Sequence, residues 1–175
     1  MKSIISIVVF SLSFVFQIGA SNLDSLIEVA NGLPDDSSRV NALLEISAGL
    51  WQTEPEEAIK YADEAITLCK KINFPKGLAL AYKNIGLAHY IKGDYTNVLD
   101  YWLQSLEAYR SNGDKPGISN LLGNIGAVYF NRGDDPNALK YFLEALRVSE
   151  EIKDTLRTAT LLVNIGAVNF NKPAT

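Results

Sequence analysis

Few side chains in this sequence have the type and spacing to do chemistry. There is one histidine, His89, and one cysteine, Cys69, so a multi-histidine metal site and an intrachain disulfide are both excluded. Glu54, Glu56 and Glu57 flank Pro55, and acidic residues at a helix start answer the helix dipole better than they answer acid–base catalysis. Glu150 and Glu151 read as a solvated face. No phosphate loop, dinucleotide fingerprint, nucleophile elbow or zinc spacing is present. The expectation is therefore no enzyme, no catalytic residue, no cofactor and no metal. The informative series is an amide one: Asn84, Asn124 and Asn164 recur every 40 residues. Asn is a mediocre mid-helix residue because its side chain competes for backbone hydrogen bonds. Its amide both donates and accepts, so it can pair with a peptide unit in either sense.

Those asparagines belong to a longer repeat. Asn84-Ile85-Gly86 returns as Asn124-Ile125-Gly126 and Asn164-Ile165-Gly166. Tyr61, Tyr101 and Tyr141 keep the same period, as do Ala65, Ser105 and Ala145, and so do Tyr90, Phe130 and Phe170. Independent columns agreeing on one period identify a repeat architecture. Inside a unit, Tyr82, Ile85, Gly86 and His89 follow helical spacing, and Val98, Leu99, Trp102, Ser105, Leu106 and Tyr109 do so again. Lys92-Gly93-Asp94 lies between them as a tight turn. Each unit is predicted to be helix, turn, helix. Pro55, Pro116 and Pro136 fall where first helical turns should begin. Gly86, Gly126 and Gly166 sit mid-helix at a cost of ~1 kcal/mol each relative to Ala, which predicts close helix approach. Aromatic residues such as Tyr101, Trp102, Tyr141 and Phe142 are predicted to fill the remaining space.

These residues resemble a tetratricopeptide repeat. The segments that carry the likeness are Asn84 to Tyr90, Gly93-Asp94-Tyr95, Tyr101-Trp102 and Ser105-Leu106, then their counterparts from Asn124 to Leu146. The 40-residue period resembles the long-repeat subclass, and the likeness runs over about 40–171. It implies an all-α fold: a right-handed α-solenoid of antiparallel helix pairs with first helices on the concave side. It also implies a groove built from recurring first-helix positions. Carried over, these are Asn84, Leu87, Tyr90 and Ile91, then Asn120, Asn124, Ala127, Phe130 and Asn131. The last unit adds Thr160, Asn164, Ala167, Phe170 and Asn171. Helices packed ~8–10 Å apart would present one amide for about every three residues of an extended chain. Two readings stay open: an amide ladder that clamps a bound backbone, or amides that bond neighbouring helices or solvent. Tyr90, Phe130 and Phe170 either floor the groove or pack between repeats. Lys83 is the only base near the ladder, which disfavours a carboxylate clamp.

The chain divides on paper into a leader at 1–20, a capping helix and linker at 21–36, and a repeat array at 37–175. The repeats fall at about 37–74, 75–114, 115–154 and a partial 155–171. Lys2, the apolar run that follows and Gly19-Ala20 describe a signal peptide cleaved after Ala20, which predicts a periplasmic or extracellular protein. The alternative is an uncleaved membrane anchor at 4–20. A net charge of −4 with no basic block predicts no nucleic-acid partner. The functional expectation is a non-catalytic scaffold that holds an extended peptide or partner helix. Self-association through the last helix is a further expectation. A second expectation comes from a likeness to exported bacterial arrays of signalling proteins. It makes the chain the sensory part of a truncated histidine kinase, nucleotide cyclase or transcription regulator.

Overall fold

The computed structural model describes residues 20–170 of the 175-residue chain. All regular structure among the described residues is helical. The helices are α1 (Ala20–Gly32), α2 (Ser37–Leu50), α3 (Pro55–Ile72), α4 (Pro75–Ile91), α5 (Tyr95–Asn112), α6 (Lys115–Asn131), α7 (Asp135–Glu151) and α8 (Thr155–Phe170). Helices α1–α5 belong to one compact unit that ends at Asp114, and α6–α8 belong to a second that starts at Lys115. Within each unit, consecutive helices pack on one another. The fold class is an all-α solenoid of antiparallel helix pairs, consistent with the right-handed form expected.

Local chemistry sets the helix limits. Pro55 and Pro75 open α3 and α4, and Pro136 lies in the first turn of α7, where proline's missing N–H costs nothing. Asp94 and Asp134 cap α5 and α7 by accepting from the backbone N–H groups of Asn97 and Asn137. The turns that precede them need a left-handed residue, supplied by Gly93 at φ 72° and Gly133 at φ 75°. A second left-handed column ends the other helices. Asn73, Gly113 and Lys153 have φ values of 54°, 72° and 58° at a spacing of 40. Lys153 adopts this conformation with a Cβ at a local cost of ~1–2 kcal/mol, against which stand the turn's backbone hydrogen bonds from Lys153 N–H to the Glu150 carbonyl and from Asp154 N–H to the Ser149 carbonyl.

The core of the first unit has two parts. One joins Val40, Leu43, Leu44, Ala65, Ile66 and Ile85 from α2, α3 and α4. The other joins Ala42, Ile46 and Leu50 of α2 to Ala58 and Ala88, with Leu26 and Ile27 of α1 laid over it. In the second unit Ile125, Val128, Phe142, Ala145 and Val168 are buried.

The predicted close approach occurs at Gly86 and Gly126 and is made by rings. A methyl group on Gly86 would collide with the Trp102 indole, and one on Gly126 would lie 2.7 Å from the Phe142 ring. Each helix pair is therefore keyed by an aromatic ring seated on bare backbone.

Candidate functional site

The amide series divides between the two units. Asn84 is in the first; Asn124 and Asn164 are in the second. Asn84 is only 7% exposed, and its Nδ2 donates to the Leu44 carbonyl across 3.1 Å. Its donor thus ties α4 to α2. Leu87 is half-buried beside it. Tyr90 is half-buried, edge-on to Tyr95 at 5.8 Å and stacked near Trp102 at 6.3 Å. Ile91 is exposed at the end of α4.

On α6 the amides are more open. Asn120 and Asn124 are half-buried, and Asn124 Nδ2 reaches Asn120 Oδ1 only at 3.5 Å. Ala127 is buried, Phe130 half-buried and Asn131 exposed. Asn120, Asn124, Ala127 and Asn131 fall at i, i+4, i+7 and i+11, which is one helix stripe. On α8, Asn164 and Ala167 are half-buried and Phe170 is 82% exposed. Thr160 is exposed and returns its hydroxyl to the Leu156 carbonyl at 3.0 Å. Asn171 lies outside the described residues.

The lone histidine is a packing residue. Its ring stacks on Tyr101 at 5.5 Å, as Tyr129 stacks on Tyr141 at 5.4 Å one repeat later. His89 Nδ1 stands 3.2 Å from Asp94 Oδ2. The Asn97 amide, then its backbone N–H, hold the Asp94 carboxyl below its ordinary range, with a smaller contribution from His89. Asn137 does the same for Asp134. Burial pushes the Cys69 thiol up to about 11, so little thiolate is present near neutrality and Cys69 is a poor nucleophile. Among the described residues, no group of three or more His, Cys, Asp or Glu could hold a metal ion.

One feature escaped the sequence reading and another was read only in part. The Asp-x-x-Asn caps at Asp94–Asn97 and Asp134–Asn137 were legible as a repeated pair in the 40-residue register. An uncovered face on the last helix was expected, but not which residues form it: Leu161 and Val168 are buried, whereas Leu162 and Val163 are exposed.

Comparison with known proteins narrows the expected family. The tetratricopeptide repeat model matches residues 117–171, well short of half the chain. No curated protein matches it. A solved structure, BtubC (BKLC) from P. vanneervenii, superposes with a TM-score of 0.68 at 15% identity, over 85% of this chain and 63% of that one. At that identity the likeness establishes the fold alone. The chain spans 63% of the length of that protein.

These findings correct three expectations. The tetratricopeptide likeness over about 40–171, and its extension to exported bacterial signalling arrays, is replaced by a family match confined to 117–171. The sensory reading drew on that extension and gains no support from the comparison. Export after Ala20 is also corrected. Ala20 opens α1, and the helix runs on through Ser21 and Asn22. Nothing in the likeness to BtubC speaks for export. The membrane-anchor alternative at 4–20 is not supported either. Among the described residues, no helix is long and apolar enough to cross a membrane. Residues 1–19 of the expected leader lie outside the described residues. The chain is an all-helical repeat protein in which residues 117–171 match the tetratricopeptide repeat family.

Proposed function

We propose that the chain is a non-catalytic interaction scaffold, and that the α6 stripe holds an extended peptide or a partner helix. The observation that carries this reading is the Asn120–Asn124 amide pair. Both side chains are partly open, and they meet each other only across 3.5 Å. Their hydrogen-bonding capacity is weakly used, in contrast to that of Asn84, which spends its donor on Leu44. Amides so placed can donate to and accept from a peptide backbone. Phe130, half-buried, follows nearly two turns further along α6.

The test is selection of random peptides displayed on phage against the full chain. Binders are then titrated against Asn120→Ala, Asn124→Ala and the double variant. Each amide should be worth about fivefold to tenfold in affinity, near ~1 kcal/mol per hydrogen bond, with the melting temperature unchanged. Selected peptides that bind the double variant as tightly as the parent would sink the reading.

A further inference from the structure

The residue one turn before each asparagine of the series changes from repeat to repeat: Leu80 precedes Asn84, Asn120 precedes Asn124, and Thr160 precedes Asn164. On α4 the apolar Leu80 packs against the core, and Asn84 donates to the Leu44 carbonyl. On α8 the Thr160 hydroxyl turns back to the Leu156 carbonyl. On α6 two amides stand at i and i+4, which are neighbours on a helix surface. Asn124 Nδ2 reaches Asn120 Oδ1 at 3.5 Å, and both side chains are half-buried.

What this pair offers a ligand follows from its donors and acceptors. Each amide has one carbonyl oxygen and one NH2 group. The contact between them engages the Asn120 oxygen and one Asn124 proton. It leaves the Asn120 NH2 group and the Asn124 oxygen side by side. Turning both amides over exchanges the two roles and leaves the same set, a donor next to an acceptor. A carboxylate brings only acceptors, so it opposes the open oxygen. An ammonium or guanidinium brings only donors, so it opposes the open NH2 group. A carboxamide brings one of each and satisfies both.

The surroundings select in the same direction. Every residue from Pro116 to Asn131 is uncharged. By contrast, α4 carries Lys83 directly before its asparagine, and α8 carries Arg157 in its first turn. At the start of α6, Lys115 is paired with Glu151. Ala127, one turn from Asn124, is buried. A charged ligand group would be desolvated at the pair without a counter-ion. That costs far more than desolvating a neutral amide whose hydrogen bonds are made.

We propose, on the reading that the α6 stripe holds a peptide segment, that the Asn120–Asn124 pair selects a carboxamide side chain, so that the ligand carries Gln or Asn at this point. Its carbonyl accepts from Asn120 Nδ2, and its NH2 group donates to Asn124 Oδ1. The source is a side chain rather than the ligand's main chain. The backbone groups of a partner helix are bonded within that helix. An extended main chain is held off half-buried amides by its own flanking side chains, whereas a projecting Gln or Asn reaches them.

Peptides selected from a random phage library against the full chain are sorted by whether Asn120→Ala or Asn124→Ala weakens them. Those that depend on the amides should share one Gln or Asn. In synthetic copies, changing that residue from Gln to Glu, or from Asn to Asp, should weaken binding about tenfold or more. Asn120→Leu copies the Leu80–Asn84 arrangement of α4, so it should abolish the preference for Gln over Glu while keeping the melting temperature. Amide-dependent peptides with no shared Gln or Asn overturn the proposal and leave the stripe as a binding surface. So does a Glu-bearing copy that binds as tightly as its parent. Backbone N-methylation that weakens binding where the change to Glu does not assigns the pair to the main chain and overturns it too. If no selected peptide depends on either amide, the stripe reading itself fails, and this proposal with it.

Discussion

Gly86 and Gly166 occupy the same register of two helices 80 residues apart, in the same Asn-Ile-Gly triplet, and their surroundings are opposite. At Gly86 the missing Cβ is the condition for a helix pair, because the Trp102 ring occupies the space a Cβ would need. At Gly166 the space is open, and the glycine contributes only its conformational cost. Asn84 and Asn124 make a parallel contrast. The first spends its donor on a carbonyl of α2, and the second makes a long bond to a neighbouring amide. Identical residue types in identical register thus serve as structural keys in one place and as open surface in another. At the glycines, what differs is whether a second helix has arrived.

Substitutions can break or sharpen this comparison, and the largest effect is expected at the key itself. Trp102→Ala should cost ~3–5 kcal/mol in chemical denaturation, since it empties a fully packed site and removes the indole donor from Lys83. The glycine pair should then give opposite signs. Gly86→Ala should destabilise by ~1–3 kcal/mol through overpacking against the indole. Gly166→Ala should stabilise by ~1 kcal/mol, the ordinary helix-propensity gain. Equal signs in the two melts would mean that the ring does not sit on Gly86 as described. The amide pair should give a smaller split. Asn84→Ala should lose ~1 kcal/mol with its buried hydrogen bond, whereas Asn124→Ala should stay within about 0.5 kcal/mol of the parent.

The smallest effect is expected in acid, and it should be shared by both units. Asp94 and Asp134 have carboxyls held below their ordinary range by the Asn97 and Asn137 amides and backbone N–H groups. A depressed carboxyl contributes stability that is complete above its unfolded value of ~3.9 and is lost as pH falls through the lower folded value. Stability followed by circular dichroism should therefore decline below pH ~4. Asp94→Asn with Asp134→Asn should flatten that decline. An unchanged acid limb in the double variant would remove the caps from the account.

Much of the fold was legible because the repeat writes the same physics several times. The 40-residue spacing of Asn-Ile-Gly, the alternation of two helical patterns, and Gly93 and Gly133 between them are local requirements of helices and tight turns. The proximity of glycine and aromatic ring was legible as a cost that only close packing could offset. The ring that meets each glycine was not, because Tyr101 and Trp102 are adjacent in sequence and only the rotation of α5 selects one. The site was less legible still. Hydrogen bonding of Asn84 to Leu44 depends on how α2 packs across α4, and nothing at position 84 distinguishes it from position 124.

The sequence by itself determined the helix–turn–helix unit, its period, its left-handed turn residues and the columns that must pack. These follow from backbone sterics and from the burial of apolar side chains at helical spacing, and both act over a few residues. Tertiary structure alone decided which copies of a column are used up and which stay open. Exposure belongs to a neighbourhood rather than to a residue. Ala79 is covered by α5 and Ala159 is not, although each stands at the same step of the same repeat.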